Sequence, residues 1–366
     1  MGSSRAVTTV GIVGLGVISR QYLKTLLSVD SVRIVAVADL DQDRAQAVAQ
    51  DIDGCRALTT DELMAAPDVD IVLNLTIPEA HADVALAAIA AGKHVYGEKP
   101  LAATLADAER IVAAAAAAGV RVGSAPDTVL GTGVQTARAA IDEGLIGQPV
   151  SASATWISAG HESWHPHPDF YYLTGGGPLL DMGPYYVTSL VQLLGSVTAV
   201  SGAASRSRST RTIGSGPREG EEIRVDVDTH LTGILHHASG ALSTVTVSFD
   251  GVATRSAPIE VHGVEGSLVV PDPNTFSGEV LLRTRGGEGW QTMAPSAGYE
   301  DSGRGVGLVD LVAGSARASG EMGLHVLEIM TAIMSSAATG ARETLRTTVE
   351  RPGLVPLTPA ASWRRD

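Results

Sequence analysis

The first third of the chain alternates uninterrupted apolar runs with segments of helical periodicity. Runs such as Val7–Val13 and Val32–Ala38 are typical of strands buried on both faces of a parallel sheet. Between them, apolar side chains recur on one face of a predicted helix, at Tyr22, Leu23, Leu26 and Leu27. The alternation continues with predicted strands at 69–75, 94–96 and 120–123 and predicted helices at 41–50, 76–91 and 104–118. This spacing predicts a doubly wound parallel sheet over residues 7–123.

From about Ser124 the periodicity changes, and turn residues separate most of the apolar runs. The predicted elements are a helix at Val134–Glu143, strands at Val150–Ile157, Thr198–Ala204, Val225–His236, Ala241–Phe249, Ile259–Val270 and Val280–Thr284, and a late helix at Glu321–Ala338. We interpret them as an α+β domain over residues 124–350, with an open, mostly antiparallel sheet covered by helices on one face. Residues 206–222 are predicted to form a surface excursion, and residues 351–366 a C-terminal tail.

Composition and charge narrow the class of protein. The 366 residues are 44% hydrophobic and 18% charged, which suits a globular chain of one large or two ordinary domains. The formal net charge of −14 disfavours nucleic acids and anionic membranes as partners, because like charges repel. Cys55 is the one cysteine, which excludes an intrachain disulfide and fits a reducing compartment. We see no signal peptide and no apolar run long enough to span a bilayer, so we expect a soluble cytoplasmic protein.

Two glycines lie between the first predicted strand and the first predicted helix. In a dinucleotide-binding fingerprint, Gly14 would permit the tight turn and Gly16 would let backbone N–H groups reach the pyrophosphate. Val17 and Ile18 continue the loop, and Ser19 takes the third small position, where Gly or Ala is usual. The pattern indicates a Rossmann domain. The alternative is that the glycines only close a turn.

A carboxylate follows the second predicted strand. Asp39 comes 23 residues after Gly16, near the spacing expected for the residue that binds the adenosine ribose hydroxyls. A negative charge there would repel a 2′-phosphate, so the sequence favours NAD over NADP. Asp39 can instead be a solvated residue at a strand end. Arg44 would suit NADP, although its position looks like an ordinary helix face.

Further polar residues follow the later strands, where ligands of doubly wound sheets bind. Thr76, Pro78 and His81 begin one helix, and Glu98 and Lys99 follow the next strand. We interpret all five as cofactor-side residues, and we expect Lys99 to face a second reactant as well. His81 can instead pack locally at its helix start. The alternative for Lys99 is a solvated lysine.

Residues 161–172 concentrate polar rings in a chain that is only 4% aromatic. We interpret this segment as a sugar-contacting loop, with His161, Trp164 and His165 as substrate contacts and plain loop packing as the alternative. The segment also holds four residues of metal-ligand type: His161, His165, His167 and Asp169. We predict no metal site, because Pro166 and Pro168 interrupt any regular spacing of these ligands.

A second unusual segment runs from Gly175 to Tyr186. Its glycine triplet would let the backbone approach a neighbour or a ligand closely. Asp181 and Tyr185 are four residues apart, so they share one face if the segment is helical.

Taken jointly, these features resemble the Gfo/Idh/MocA family of NAD(P)-dependent oxidoreductases over nearly the whole chain. The residues that carry the resemblance are Gly14-Leu15-Gly16, Asp39, the turn from Thr76 to His81, Glu98-Lys99-Pro100 and the segment from Gly175 to Tyr185. The resemblance implies that Lys99 belongs to the catalytic group and that Asp181 contacts the substrate. It also implies an open sheet whose outer face makes contacts in a homo-oligomer, a dimer or a tetramer.

The sequence departs from many family members at one position. Where these carry a catalytic histidine four residues after the aspartate, this chain has Tyr185. In this respect it is similar to the branch of glucose–fructose oxidoreductase and dihydrodiol dehydrogenase. The acid/base role therefore moves to Tyr185, while Tyr186 should point elsewhere.

These interpretations lead to one mechanistic hypothesis and two alternatives. In the hypothesis, a hydride passes between NAD(H) and a secondary hydroxyl or ketone of a sugar, glycoside or cyclitol. Tyr185 is the acid/base, Lys99 favours its phenolate, and Asp181 orients the substrate. One alternative is glycoside cleavage or elimination in which bound NAD is regenerated. The other is a sensor that binds dinucleotide and sugar without chemistry.

Overall fold

The computed structural model describes residues 7–365, which form two compact units. The first unit contains residues 7–132, 297–324 and 355–365, and the second contains residues 133–296 and 325–354. The predicted segment 7–123 lies within the first unit, which two later segments of the chain also join. One of these is the end of the chain, which forms bridges from Pro356 to Ala297 and from Thr358 to Tyr299.

The first unit is built on a parallel sheet of six strands in the order β3-β2-β1-β4-β5-β6. The strands are β1 (Thr8–Val13), β2 (Val32–Ala38), β3 (Arg56–Leu58), β4 (Ile71–Asn74), β5 (His94–Gly97) and β6 (Val122–Ser124). Their apolar runs are buried because helices cover both faces of a sheet of this kind. The strand order reverses between β1 and β4, so the ligand-binding crevice of this fold lies at their carboxyl ends. The predicted doubly wound sheet is confirmed.

Five helices connect these strands: α1 (Ser19–Leu26), α2 (Gln42–Gln50), α3 (Thr60–Ala65), α4 (Pro78–Ala90) and α5 (Leu105–Ala118). Their ends follow ordinary capping chemistry. Asp41 and Thr104 each accept a hydrogen bond from a first-turn N–H, and Thr59 forms a capping box with Glu62. Gly119 ends α5 with a φ of 67°, a left-handed conformation that glycine adopts without strain.

The second unit contains a sheet of nine strands in the order β16-β15-β14-β13-β7-β12-β11-β8-β17. The strands of this unit are β7 (Pro149–Ile157), β8 (Val197–Ser205), β9 (Thr210–Thr212), β10 (Glu222–Arg224), β11 (His230–His237), β12 (Leu242–Ser248), β13 (Ile259–Gly263), β14 (Gly266–Val270), β15 (Val280–Thr284), β16 (Gln291–Met293) and β17 (Glu343–Thr344). All neighbouring pairs are antiparallel except β7 and β12, and β9 and β10 form a separate hairpin. The predicted mostly antiparallel sheet is confirmed.

The remaining helices are α6 (Thr132–Asp142), α7 (Pro178–Leu194), α8 (Val306–Val312) and α9 (Gly320–Thr339). In the second unit, α7 packs on β7, β11 and β12 and is buried along almost its whole length. A Cβ atom at Gly202 of β8 would overlap the carbonyl oxygen of Ile333 in α9. Glycine is therefore required where this helix lies closest to the sheet.

Several details differ from the sequence prediction, which also left out α3, α8, β16 and β17. The run Ile259–Val270 is a hairpin of β13 and β14, because Val264 and Glu265 make the turn between them. The polar segment 206–222 carries β9, and its Arg211 and Ile213 are buried, so the prediction of a pure surface excursion is wrong. The short strand β3 lacks an apolar run and was not predicted.

Helix α9 is long and apolar enough to cross a membrane by length and composition. Half of its most apolar window is buried inside the protein.

A buried acidic side chain in the first unit gives a test of this fold. Asp127 is fully buried, and its Oδ2 accepts hydrogen bonds from the amides of Gly305 at 2.7 Å and Gly307 at 3.0 Å. Its Oδ1 is buried without a hydrogen-bond partner. Burial raises the pKa of Asp127 from 3.8 to about 6, against the opposing effect of the Arg304 charge.

The native state therefore binds the Asp127 proton more tightly than the unfolded state does. This contribution to stability is complete below pH 4 and is lost as the pH rises through 6. We expect Asp127→Asn, which stays uncharged and keeps an acceptor, to gain about 3 kcal/mol in free energy of unfolding relative to the parent between pH 4 and 7. Denaturant titrations at a series of pH values measure this difference. A constant difference across that range would contradict the assignment.

Candidate active site

The loop between β1 and α1 has the backbone that a dinucleotide requires. Gly14 has a φ of 93°, and a Cβ there would lie 2.7 Å from the carbonyl carbon and oxygen of Leu75. Gly16 has no such neighbour within 4 Å, so a ligand can approach its backbone. The loop is closed by Ser19, whose Oγ donates to the carbonyl oxygen of Gly16 at 2.7 Å. Ile18 gives α1 no side-chain cap, and the amides of Ser19 and Gln21 in the first turn donate to the carbonyl oxygens of Gly16 and Ile18.

Asp39 follows β2 and holds this loop. Its Oδ2 accepts a hydrogen bond from the amide of Leu15 at 2.7 Å. Its Oδ1 accepts from the amide of Asp41 at 2.9 Å and pairs with Nη1 of Arg44 at 3.2 Å. The carboxylate thus joins the glycine loop to the start of α2, and Arg44 lies beside it.

The turn after β4 is organised by Asn74, a residue that the sequence analysis did not single out. Its Nδ2 donates to the carbonyl oxygen of His81 at 3.0 Å, and its Oδ1 accepts from Oγ1 of Thr76 at 2.6 Å. Pro78 is the first residue of α4. The turn residues predicted for the cofactor side therefore share one hydrogen-bonded unit. The sequence signal that could have revealed Asn74 is an amide side chain at the end of an apolar strand, because such a group needs hydrogen-bond partners when it is buried.

His81 ties this turn to the next one along the sheet. The imidazole is buried, with Nδ1 2.7 Å from the carbonyl oxygen of Pro100 and Nε2 3.1 Å from that of Thr76. The ring can donate to at least one of these oxygens in either tautomer. His81 therefore has the local packing that the sequence analysis held open, and a direct contact with a cofactor stays a prediction.

Glu98 connects the end of β5 with helix α1. The carboxylate is buried, with Oε1 accepting from the hydroxyl of Tyr22 at 2.7 Å and Oε2 from the amide of Lys99 at 3.0 Å. Burial and the charge of Glu98 raise the pKa of Tyr22, so the phenol remains a donor. Lys99 is half-buried. The apolar periodicity of α1 placed Tyr22 correctly on the inner face but could not reveal the partner of its hydroxyl.

In the second unit, α7 carries both predicted catalytic residues. The helix begins after Gly177, which has a φ of 97°, and Pro178 is its first residue. Asp181 lies in the first turn and Tyr185 one turn later, so the predicted shared face is present. The Tyr185 side chain is buried, with 6% of its surface exposed. Tyr186 points elsewhere, as predicted, and its hydroxyl lies 3.3 Å from Oδ1 of Asp272.

His161 is bonded to Asp181. Its Nε2 lies 2.9 Å from Oδ2 of that carboxylate, and the residue is 8% exposed. Four aromatic rings surround the imidazole, with centroids 4.2 to 6.0 Å away: Trp156, Trp164, Tyr171 and Phe249. The structure therefore brings together three of the four residues predicted to contact the substrate, namely His161, Trp164 and Asp181.

The fourth, His165, packs beside them. Its ring lies 5.4 Å from that of Trp164 and 5.5 Å from that of Phe170. Burial lowers the pKa of His165, which favours a neutral imidazole. Trp164 and Phe170 are 59% and 57% exposed, so their rings can receive a ligand. Asp169, weighed as a metal ligand, is instead paired with Arg218, which lowers the pKa of its carboxyl.

A buried ionic network beneath this loop escaped the sequence analysis. Arg211 pairs with Glu162 at 2.7 Å and with Asp250, and it donates to the carbonyl oxygens of Ala159 and Phe249, both at 2.9 Å. The partners of Arg211 lie up to 52 residues away in the sequence, so no local sequence pattern could have predicted this network. Within residues 7–365, no group of three or more His, Cys, Asp or Glu side chains is placed to hold a metal ion.

Comparison with known proteins agrees with this architecture. The sequence model of the oxidoreductase family with an NAD-binding Rossmann fold matches residues 8–125. The model of the GFO/IDH/MocA C-terminal domain matches residues 134–269. The predicted family is therefore found by independent matches in both halves of the chain.

One curated relative matches most of the chain, and another matches less than half of it. The 1,5-anhydro-D-fructose reductase of Ensifer adhaerens is 32% identical over 339 residues, which cover 90% of this chain and 96% of the reductase. The inositol 2-dehydrogenase of Salmonella paratyphi B is 35% identical over 178 residues, 45% of this chain and 50% of the enzyme. A crystal structure of an NAD binding oxidoreductase from Klebsiella pneumoniae superposes with a TM-score of 0.79 at 25% identity, covering 92% of this chain and 98% of that one. The chain belongs to the GFO/IDH/MocA family of oxidoreductases.

Proposed function

We propose that the protein transfers a hydride between NAD(H) and a secondary hydroxyl or ketone of a sugar, glycoside or cyclitol. The observation that carries this proposal is the placement of Asp181 and Tyr185 one turn apart on α7, in a chain whose first unit has the dinucleotide-binding backbone. The names of two relatives, a reductase of an anhydro sugar and a dehydrogenase of inositol, support substrates rich in hydroxyl groups. We also propose that it works as a soluble cytoplasmic enzyme.

The residues of the first unit fit the cofactor. Gly16, Val17 and Ile18 would hold the pyrophosphate with backbone N–H groups, and Gly14, whose own N–H donates to the carbonyl oxygen of Ala38, would permit the tight turn. The carboxylate of Asp39 would accept from the adenosine ribose hydroxyls. Other predicted contacts lie at the ends of β4 and β5: Thr76, Pro78, His81, Glu98 and Lys99.

The chemistry requires one hydride and one proton to leave an alcohol carbon and its hydroxyl. A nicotinamide cofactor held by the first unit would supply the hydride acceptor. In our proposal, Tyr185 takes the hydroxyl proton as acid/base, and the ammonium of Lys99 favours the phenolate and stabilises negative charge on the substrate oxygen. Asp181 accepts hydrogen bonds from substrate hydroxyls and so orients the reacting carbon.

The loop at 161–172 would supply the rest of the substrate site. The exposed ring of Trp164 suits the apolar face of a pyranose, and His165 lies beside it with a ring that can donate or accept a hydrogen bond.

We expect Tyr185→Phe and Lys99→Met to lower kcat by about 100- to 10,000-fold, the range for loss of a general acid or base. The measurement is NADH absorbance during oxidation of a panel of sugars and cyclitols. NADH binding, followed by fluorescence, should persist in Tyr185→Phe.

The adjacent Tyr186→Phe is the matched control, since its hydroxyl is held by Asp272. Full turnover in Tyr185→Phe, or equal losses in the two tyrosine variants, would contradict the assignment. Product formation without stoichiometric NADH would indicate cofactor-regenerating cleavage instead.

Cofactor choice gives a further test at Asp39. We expect Asp39→Ser to remove the acceptor for the ribose hydroxyls and the repulsion of a 2′-phosphate, leaving Arg44 to pair with that phosphate. Bonds to charged groups contribute about 1.5–3 kcal/mol, so the NAD to NADP ratio of kcat/KM should fall by roughly 10- to 100-fold.

The control for cofactor choice is Asp39→Ser combined with Arg44→Met, in which any gain with NADP should disappear. An unchanged cofactor ratio in Asp39→Ser would show that this carboxylate does not select NAD.

A homo-oligomer is the last part of the proposal. Exposed apolar side chains on one face of adjacent strands of the second unit support it, at Leu242 on β12 and Ile234 on β11. Light scattering on the purified protein should give two or four times the chain mass of 37.6 kDa. A mass of one chain at micromolar concentration would contradict it.

A further inference from the structure

The bond between His161 and Asp181 joins a loop to the first turn of a helix. Asp181 is partly accessible, with 19% of its side-chain surface exposed, whereas the His161 side chain is 11% exposed. The carboxylate can therefore be reached from solvent while the imidazole lies behind it. Because Nε2 lies 2.9 Å from Oδ2, the bond restricts rotation of the Asp181 side chain.

The other ring nitrogen shows how His161 acts. Nδ1 is buried and has no hydrogen-bond partner among the described residues. A neutral ring with its proton on Nε2 donates to Asp181 and leaves only a lone pair at Nδ1. A doubly protonated ring would bury an N–H without an acceptor. A substrate hydroxyl cannot reach Nδ1 unless the ring moves.

Packing prevents that movement. The nearest centroids are those of Tyr171 at 4.2 Å, Phe249 at 4.9 Å and Trp164 at 5.1 Å, and all three rings meet the imidazole at steep angles. These contacts enclose the ring on several sides, so its orientation is set before any substrate arrives.

The backbone of His161 is fixed as well. Its amide donates to the hydroxyl of Tyr172 at 3.1 Å, and that hydroxyl donates to Glu162. Burial and the bond to Glu162 raise the pKa of Tyr172, which keeps the phenol neutral. The preceding Gly160 has a φ of 104°, and a Cβ there would overlap the Glu162 carboxylate. Arg211 secures the same carboxylate from below.

We propose that His161 is a positioning residue: it donates from Nε2 to Oδ2 of Asp181 and fixes the carboxylate that orients the sugar, without contacting the sugar itself. This inference rests on the proposed function of Asp181. It gives the buried network of Tyr172, Glu162 and Arg211 a role in substrate orientation. It also replaces the prediction that His161 contacts the substrate directly.

The test is a double-mutant cycle on kcat/KM for the best sugar substrate. We expect His161→Leu to lower kcat/KM by about 10- to 100-fold, the scale for misplacing a group that orients the substrate. His161→Gln, whose amide nitrogen can still donate to Asp181, should recover most of this loss. In an Asp181→Asn background, His161→Leu should cost less than about 3-fold, because the group on which it acts has already been changed.

A purely structural role would give the same loss in both backgrounds, and that result would overturn the inference. The control is His167→Leu, an exposed histidine of the same loop, which should behave as the parent. The affinity for NADH should be unchanged in every variant.

Nuclear magnetic resonance of the ¹⁵N-labelled imidazoles tests the bond without turnover. We expect His161 to carry its proton on Nε2 and to show a shifted Nε2 signal in Asp181→Asn. A proton on Nδ1 alone would overturn the inference even if the sugar is oxidised. Failure of the parent protein to oxidise or reduce any sugar would overturn the proposed function, and the inference with it, whereas full activity in His161→Leu would overturn the inference alone.

Discussion

The first unit depends on one buried carboxylate. Glu98 accepts hydrogen bonds from the phenol of Tyr22 on α1 and from the amide of Lys99 after β5. A charged group in this position is costly to bury unless its oxygens are bonded, so the two partners and the carboxylate require each other. The consequence is geometric: the helix that begins at the glycine loop and the turn that carries Lys99 cannot shift independently. One side chain thereby links helix α1 to the turn that carries Lys99.

The second unit also has buried charged side chains that hold nearby polar groups in place, although the residues differ. Arg211 and Glu162 are buried together, and their bonds hold the loop carbonyl of Ala159 and the phenol of Tyr172. The amide of His161 depends on that phenol, and the orientation of Asp181 depends on His161. In both units, then, a buried charge lies behind a more accessible polar group. Such an arrangement reduces the reorganisation needed when a substrate binds, because the fold has already oriented the polar group.

The sequence was sufficient for features that local patterns determine. Apolar periodicity placed β2 and β15 with their observed bounds, and the four-residue spacing placed Asp181 and Tyr185 on one helix face. It was insufficient wherever a polar side chain finds its partner far along the chain. Arg211 lies in a polar, glycine-containing segment that indicates a surface loop, and only its contacts with Glu162 and Asp250 explain its burial. Tyr22 and His161 are further cases, because each forms its hydrogen bond with a residue that lies outside its own helix turn or strand.

In the loop at 161–172, the residue bonded to Asp181 is more buried than the residues that are exposed to a ligand. Phe249, one of the rings packed on His161, is fully buried, whereas Trp164 and Phe170 expose more than half of their surfaces. A change at Phe170 would leave the rings that pack on His161 in place, whereas a change at Trp164 would remove one of them. If Asp181 orients the sugar as we propose, a fold of this kind can vary its ligand through outer residues such as Phe170. In the proposed site, the identity of the sugar is thus a question about the exposed residues Trp164 and Phe170 and about His165 between them, and the orientation of the reacting group is a question about His161 and Asp181.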